Sequence, residues 1–275
     1  MADLQPGERI GVGRTSEVFA YGEHSVVKVP HLTLPSDWTV FEAEIARGIH
    51  AAGLPVPEVR DVIDVNGRPA AVFERIEGPS MWQRIVAQPD ESEALIAELA
   101  SIQRALLAGG IPTNVPDFVD RLVRRISIAE PLSDADRGEA TALAQALPRG
   151  AALLHGDLHP GNVLMSSRGP IVIDWFDAAI GHPIADLVRT SILMRPGSGH
   201  APDHLPGATP ALLERLHAAY IAQFADELAD AATDLASWQA AVAVGRLAEG
   251  AEVDEGWLIQ LWHSRHTDRA AEFEV

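Results

Sequence analysis

Leu154-His155-Gly156-Asp157-Leu158-His159-Pro160-Gly161-Asn162-Val163-Leu164 is the stretch on which the reading of this chain turns. A short apolar run, Ala151-Ala152-Leu153-Leu154, leads into it, and a second, Ile171-Val172-Ile173, follows and ends in Asp174. Between the runs lie a glycine, a Pro-Gly turn, one carboxylate and one amide, the composition of a loop held between small strands. Asp157, Asn162 and Asp174 together make a compact set of oxygen donors. Hard cations such as Mg²⁺ take such donors, and Mg²⁺ is usually held by one or two carboxylates while phosphates supply much of the rest.

An Asp, an Asn five residues later and a second Asp beyond a strand have the spacing of the protein-kinase catalytic loop. His155-Gly156-Asp157 through Asn162, followed by Asp174-Trp175-Phe176, most resembles the aminoglycoside phosphotransferase and choline kinase family of the protein-kinase-like fold. In that family the loop reads H-G-D-x-H-x-x-N and the second motif I-D-W or I-D-F. Gly156 where a protein kinase has Arg, and no Gly after Asp174-Trp175, point to small-molecule kinases. The resemblance implies an α+β, two-lobed fold. Residues 1–78 form an N-terminal nucleotide-binding lobe, a five-stranded antiparallel sheet with one helix and a hinge at about 73–78. Residues 79–275 form a mostly helical C-terminal lobe with the catalytic loop and the acceptor site.

The same resemblance implies roles. Asp157 accepts or orients the proton of an acceptor hydroxyl, Asn162 and Asp174 hold Mg²⁺, and ATP, with GTP as an alternative, is the donor. Asp186 in Ile184-Ala185-Asp186-Leu187 matches the family's G-D-P-x-x-D-L pattern and braces the loop, while His182 departs from the first Asp of that pattern. His155 is expected to pack and hydrogen-bond beneath the loop. A zinc site at His155 and His159 is disfavoured, because an i, i+4 ligand pair needs a helix that Gly156 and Pro160 oppose.

Bulk properties set bounds. At 275 residues, 47% of them hydrophobic, the chain has room for one large domain or two lobes with ample core. A formal net charge of −18 argues against nucleic-acid partners. It suits a cationic acceptor, with a solvated acidic surface as the plainer reading. With no cysteine, disulfides and thiolate chemistry are excluded. The start Met1-Ala2-Asp3-Leu4-Gln5-Pro6 lacks a basic-then-apolar leader, and no apolar run approaches the ~20 residues of a bilayer span, so a cytoplasmic protein without membrane partners is expected.

Residues 8 to 29 read as a three-strand meander. Gly11 and Gly13 let a backbone come close to a phosphate, but Ser16 replaces the third glycine of G-x-G-x-x-G, so the motif alone is weak. Lys28, in Val26-Val27-Lys28-Val29, stands where the kinase-like fold keeps its phosphate-binding lysine. A buried ammonium needs a partner. The next helix, with Ser36 as N-cap and Gly53 as its stop, carries Glu42 and Glu44, roughly 200° apart on a helical wheel, so only one faces the sheet. By its spacing to Leu54-Pro55-Val56-Pro57, Glu44 most resembles the family's ion-pairing glutamate, with Glu42 as the fallback. Strands Val59–Val65 and Pro69–Glu74 follow, joined by the hairpin signal Asn66-Gly67. The resemblance puts backbone groups near Glu74 and Ile76 at the adenine edge.

The rest reads as helical. A short helix runs from Ser80 to about Ala87, and Asp90 with Glu93 suggests a capping box for a longer one with Leu95, Leu99, Ile102 and Leu106 on one face. Further helices are expected at 117–128, 134–147 and 183–194, another from Thr209-Pro210 with Leu212, Leu216, Tyr220 and Phe224 inward, and two more near 233–248 and 253–267. Residues 195–208 read as a mobile loop. Asp177, Glu249, Glu252, Asp254 and Glu255 with Trp257 and Trp262 suit either an acidic acceptor pocket or a solvated face with core tryptophans. The acceptor is a small hydroxylated molecule, an aminoglycoside-type antibiotic first. Choline, homoserine, fructosamine, other sugars and macrolides are alternatives within the fold. A different class of function is a kinase-like nucleotide binder without turnover, against which the completeness of Lys28, Asp157, Asn162 and Asp174 argues. Monomer and homodimer are both left open.

Overall fold

The computed structural model describes residues 6–32, 35, 37–109, 115–195, 204–250 and 255–265. Strands β1 (Arg9–Val12), β2 (Ser16–Ala20) and β3 (Ser25–Pro30) are followed by helix α1 (Asp37–Ala51), then β4 (Val59–Val65) and β5 (Arg68–Glu74). The five strands form one antiparallel sheet in the order β1-β2-β3-β5-β4. This is the expected arrangement, and β5 starts one residue earlier than its apolar run suggests. Helices α2 (Met81–Ala87), α3 (Ser92–Leu107), α4 (Phe118–Ser127) and α5 (Asp134–Ala146) come next. Four short strands follow: β6 (Ala152–Leu154), β7 (Val163–Ser166), β8 (Gly169–Val172) and β9 (Ala179–Gly181). The chain continues through α6 (Pro183–Met194), α7 (Pro210–Gln223), α8 (Ala225–Asp230), α9 (Ala232–Leu247) and α10 (Glu255–Ser264).

The chain divides into two compact units. The first holds the residues up to Pro79 together with Val163–Phe176; the second holds Ser80–Gly109, Val115–Asn162 and the chain from Asp177 onward. In the first unit the period-2 pattern of the strands sorts side chains to opposite faces of the sheet. Val27, Ala70 and Val72 bury on one face beneath Phe19, Val29 and Ile63. On the other face Ala71 and Val59 pack against Ala43 and Ala46 of α1, and alanine at all three close-contact positions lets the helix lie near the sheet. Lys28 pairs in register with Ala71, so its side chain shares the face that α1 covers. The β7–β8 hairpin joins this unit through Val172 N–H to Pro55 O (2.7 Å) and Met165 N–H to Pro79 O (2.8 Å).

The second unit is helical around α6, whose residues from Ile184 to Met194 are all buried. A helix buried all round belongs to the centre of a core, so its charged members, Asp186 and Arg189, must be paired. Leu95, Leu99, Ile102 and Leu106 of α3 are buried as expected. Two local expectations fail. The capping box belongs to α2, where Ser80 and Gln83 bond reciprocally, and α3 instead follows a 3₁₀ turn with no side-chain cap, so Asp90 and Glu93 form none. On α7 the inward residue is Leu213, fully buried, and Leu212 is only half-buried. Strands β7 and β9 and helix α8 were not anticipated. The expected N-cap Ser36, most of the 195–208 loop, and the acids Glu252 and Asp254 lie outside the described residues. No helix among the described residues is long and apolar enough to cross a membrane.

Between β5 and α2, Gly78 adopts φ 143°, and a Cβ there would sit 2.1 Å from the carbonyl oxygen of Met165. Neither the backbone conformation nor the space admits a side chain. Gly78→Ala is expected to cost about 2–4 kcal/mol, read as a lowered urea midpoint with an unchanged m-value.

Candidate active site

In the first unit, Lys28 Nζ lies 2.6 Å from Glu42 Oε1 and 2.8 Å from Asp174 Oδ1. Burial works against the ammonium and is the largest single influence. The charges of Asp174 and then Glu42 outweigh it and hold the lysine above its ordinary value, so it stays protonated at any pH near neutrality. The glutamate expected at this pair was Glu44. Glu44 is exposed, while Glu42 is buried on the same face of α1 as Ala46 and Ile49, the face that meets the sheet. The i, i+4 and i, i+7 spacing of those residues selects Glu42.

Asp174 has φ 67°, a left-handed conformation that Asp tolerates better than most residues. It is fixed from behind by Trp175, which is buried and donates Nε1–H to Val172 O at 3.1 Å. Phe176 then meets Trp38 of α1 at 4.7 Å between ring centroids. These residues and Ser16, Lys28 and Glu42 border one recess. The β1–β2 turn closes with Gly13 N–H to Ser16 O at 2.8 Å, and Gly11 lies opposite Val18 beside a bulge. At the end of β5, Glu74 takes an ion pair from Arg168 at 2.7 Å, and Ile76 lies in the segment leading to α2.

In the second unit the loop from His155 to Asn162 is braced at each turn. Asn162 Nδ2 donates to the Asp157 carbonyl at 2.9 Å and approaches its Oδ2 at 3.4 Å, which leaves Asn162 Oδ1 as an acceptor for a cation. His155 Nδ1 accepts the Asp157 N–H at 3.2 Å, and His159 Nδ1 accepts the Gly161 N–H at 3.0 Å. Both imidazoles are thus committed to shaping the loop. Among the described residues, no group of three or more His, Asp or Glu side chains is placed to hold a metal ion by itself. Gly156, at φ 76°, explains the absence of an arginine: a Cβ would meet the Asp177 carbonyl oxygen at 2.3 Å.

Asp186 Oδ1 accepts the Gly156 N–H at 2.7 Å, and its Oδ2 accepts from Gln103 at 2.9 Å. Gln103 in turn accepts from Tyr220 at 2.6 Å. The reading of α3 as plain core packing missed this relay, for which a lone amide on an apolar face was the available signal. His182, at the departure from the family pattern, accepts from Ile184 N–H as the N-cap of α6 and stacks on Trp238.

A larger omission is Arg189. It is almost fully buried, donates Nε–H to the Gly156 carbonyl at 3.0 Å, and reaches Asp157 Oδ1 at 3.3 Å and the Glu249 carboxylate at 2.8 Å. Glu249 also pairs with Arg125 at 3.0 Å and Arg246 at 3.4 Å, and Asp177 pairs with Arg125 at 2.6 Å. Asp177 and Glu249 are therefore neither an acidic pocket nor a solvated face; they are buried counter-ions of arginines. Trp262 is core, and Trp257 is half-buried under Arg195 at 5.5 Å.

The first unit thus holds a lysine between two carboxylates, and the second a braced His-Gly-Asp loop. The model of the phosphotransferase enzyme family APH matches residues 7–220, and the chain belongs to that family. Viomycin phosphotransferase of Streptomyces vinaceus is 26% identical over 218 residues, covering 68% of this chain and 75% of that protein. A solved mutant of aminoglycoside phosphotransferase APH(4)-Ia, in ternary complex with AMP-PNP and hygromycin B, superposes with TM-score 0.66 at 19% identity over 98% of this chain and 94% of that one. A choline/ethanolamine kinase family protein from Mesorhizobium loti gives 0.61 at 17% identity over 98% and 92%. At these identities the two structures show the shared kinase-like fold.

Two outcomes follow from these contacts. Glu42→Gln removes one of two charges beside a part-buried ammonium and is expected to cost about 1–3 kcal/mol in chemical denaturation, whereas Glu44→Gln stays within about 0.5 kcal/mol. Burial, then the charge of Arg195, pulls His217 from 6.5 down to about 3, and burial followed by the charge of His159 also lowers His204. Both stay neutral in the folded state, while the unfolded chain binds protons below about 6.5. Stability is therefore expected to be full above pH 6.5 and to fall as the pH drops toward 3, with a shallower fall in His217→Gln, measured by thermal denaturation across that range.

Proposed function

We propose that this chain transfers the γ-phosphoryl group of ATP, with GTP as an alternative donor, to a hydroxyl of a small molecule in the presence of Mg²⁺. The observation that carries the reading is the lysine held by two carboxylates, Lys28 between Glu42 and Asp174, in a family of phosphotransferases. In this reading residues 1–78 bind the nucleotide, with the turn at Gly11, Gly13 and Ser16 over its phosphates. The backbone of Glu74 and Ile76, in a hinge at 73–78, meets the adenine. Lys28 binds phosphate oxygens and Glu42 fixes its position. Asp174 and the amide oxygen of Asn162 are the donors that would hold Mg²⁺, and both are hard oxygen groups suited to it. When bound, the metal neutralises phosphate charge. Asp157 takes or orients the proton of the acceptor hydroxyl, and Asn162, His155, Asp186 and Arg189 hold it in place. Residues 79–275 supply the acceptor site. The protein's work is alignment and charge compensation, since phosphoryl transfer asks for little covalent catalysis.

An antibiotic acceptor is supported by the relative named for viomycin and by the fold neighbour bound to hygromycin B, and would make this a resistance enzyme. A metabolite acceptor is the second reading, favoured by the charge around the loop, taken up below. The test is a coupled ADP-release assay over a panel of hydroxylated acceptors, aminoglycosides first. Asp157→Ala is expected to lower turnover at least 10³-fold while the chain still folds cooperatively. Near-normal transfer by that variant would refute the assignment. ATP binding with no transfer to any acceptor would leave a nucleotide-binding protein.

A further inference from the structure

Beside the His155–Asn162 loop the second unit has a shallow recess, open to solvent, whose enclosed part has room for a group about the size of one water molecule. Its charged lining is Arg121, Arg125 and Arg189 against a single carboxylate, Asp177, with Phe118 and Gly156 completing the wall nearest the loop. In a chain of net charge −18 this is a local reversal of sign. Arg189 is as deep as its counter-ions, but Arg121 and Arg125 lie nearer the surface: the side chains of Asp177 and Glu249 are 5% and 4% exposed, that of Arg189 3%, those of Arg121 and Arg125 17% and 23%. What an entering group meets first is the guanidinium of Arg121 and Arg125. Arg121 donates to the Ala178 carbonyl at 2.9 Å and stands 3.8 Å from Asp177. Its guanidinium is held below the ordinary arginine value by burial first; the charge of Asp177 opposes this, and those of Arg125 and Arg124 add to it. Such crowding of like charge is relieved by an anion. Arg189 belongs both to this recess and to the Asp157 contact, so an acceptor anchored here is presented to the loop.

We propose that this recess binds an oxyanion group, carboxylate or phosphate, of the acceptor, so that the preferred acceptors are small hydroxylated acids and not polyamines. Planar guanidinium forks match such groups in geometry as well as charge. The proposal rests on the phosphotransfer reading above and names the acceptor class of that site. It also reverses the expectation of a cationic acceptor drawn from net charge.

The test uses the full chain and a matched set of compounds: gluconate and glucose 6-phosphate as acids, glucose as the neutral case, glucosamine and kanamycin as cations. Each is titrated calorimetrically into protein saturated with AMP-PNP and Mg²⁺, and each is offered as acceptor in the ADP-release assay. At least one acid is expected to bind tenfold or more tighter than glucose, and the better of the two acids identifies carboxylate or phosphate. Arg121→Gln should erase that margin while leaving AMP-PNP affinity unchanged, and Arg121→Lys should restore part of it. Acids that bind no better than glucose, or less well than the amines, overturn the proposal whether or not the variants fold. So does a margin that survives in Arg121→Gln, because the arginines are then only structural. Failure of AMP-PNP itself to bind would instead sink the phosphotransfer reading, and the proposal with it.

Discussion

An ammonium group cannot be taken out of water without company, and this constraint shapes the first unit. Lys28 sits on a central strand, on the face that a helix covers, and would be untenable there alone. Glu42 reaches it from that helix and Asp174 from a hairpin 146 residues further along the chain. The pair of contacts ties three elements, β3, α1 and the end of β8, to one charged atom. Alanines at 43, 46 and 71 bring the helix close enough for a short glutamate contact. Trp175, buried behind Asp174, keeps the aspartate in its left-handed conformation.

The second unit meets the same constraint on a larger scale. A fully buried α6 carries Asp186 and Arg189, and each is satisfied by reaching toward the same loop: Asp186 to the Gly156 amide, Arg189 to the Gly156 carbonyl and to Asp157. Cost and function coincide here. The charges that the core cannot leave unpaired are discharged onto the backbone of the loop to which the proposed function gives the acceptor hydroxyl. The excess of arginine over accessible carboxylate then gives the neighbouring recess its character, in contrast to the acidity of the chain as a whole.

Much of this was legible beforehand. The glycine-asparagine grammar of the loop, the apolar strand runs of the first three-strand meander, the Asn66-Gly67 hairpin and the buried stripe of α3 are local patterns, each with a short-range physical cause. Because the turn at Asn66-Gly67 and the period of the strands are set by neighbouring residues, their boundaries came out within a residue or so. What failed was non-local. The capping box was assigned to the wrong helix: Ser80 with Gln83 carries the same signature as Asp90 with Glu93, and Asp90 lies inside a 3₁₀ turn that leads straight into α3. Asp177 and Glu249 looked like exposed acids because acids usually are, and nothing local announces that Arg125 and Arg189 will bury them.

The sequence by itself determined the family and the two-lobed fold class, with most of the longer strands and helices, because those depend on residue type and spacing along the chain. Only the tertiary structure decided which of two glutamates meets Lys28, since that turns on which face of α1 the sheet covers. It alone decided that Asp157 stands beside Arg189 and that the recess near the loop is lined by cations, since charges from α4, α6 and the end of α9 meet there only once the helices have packed.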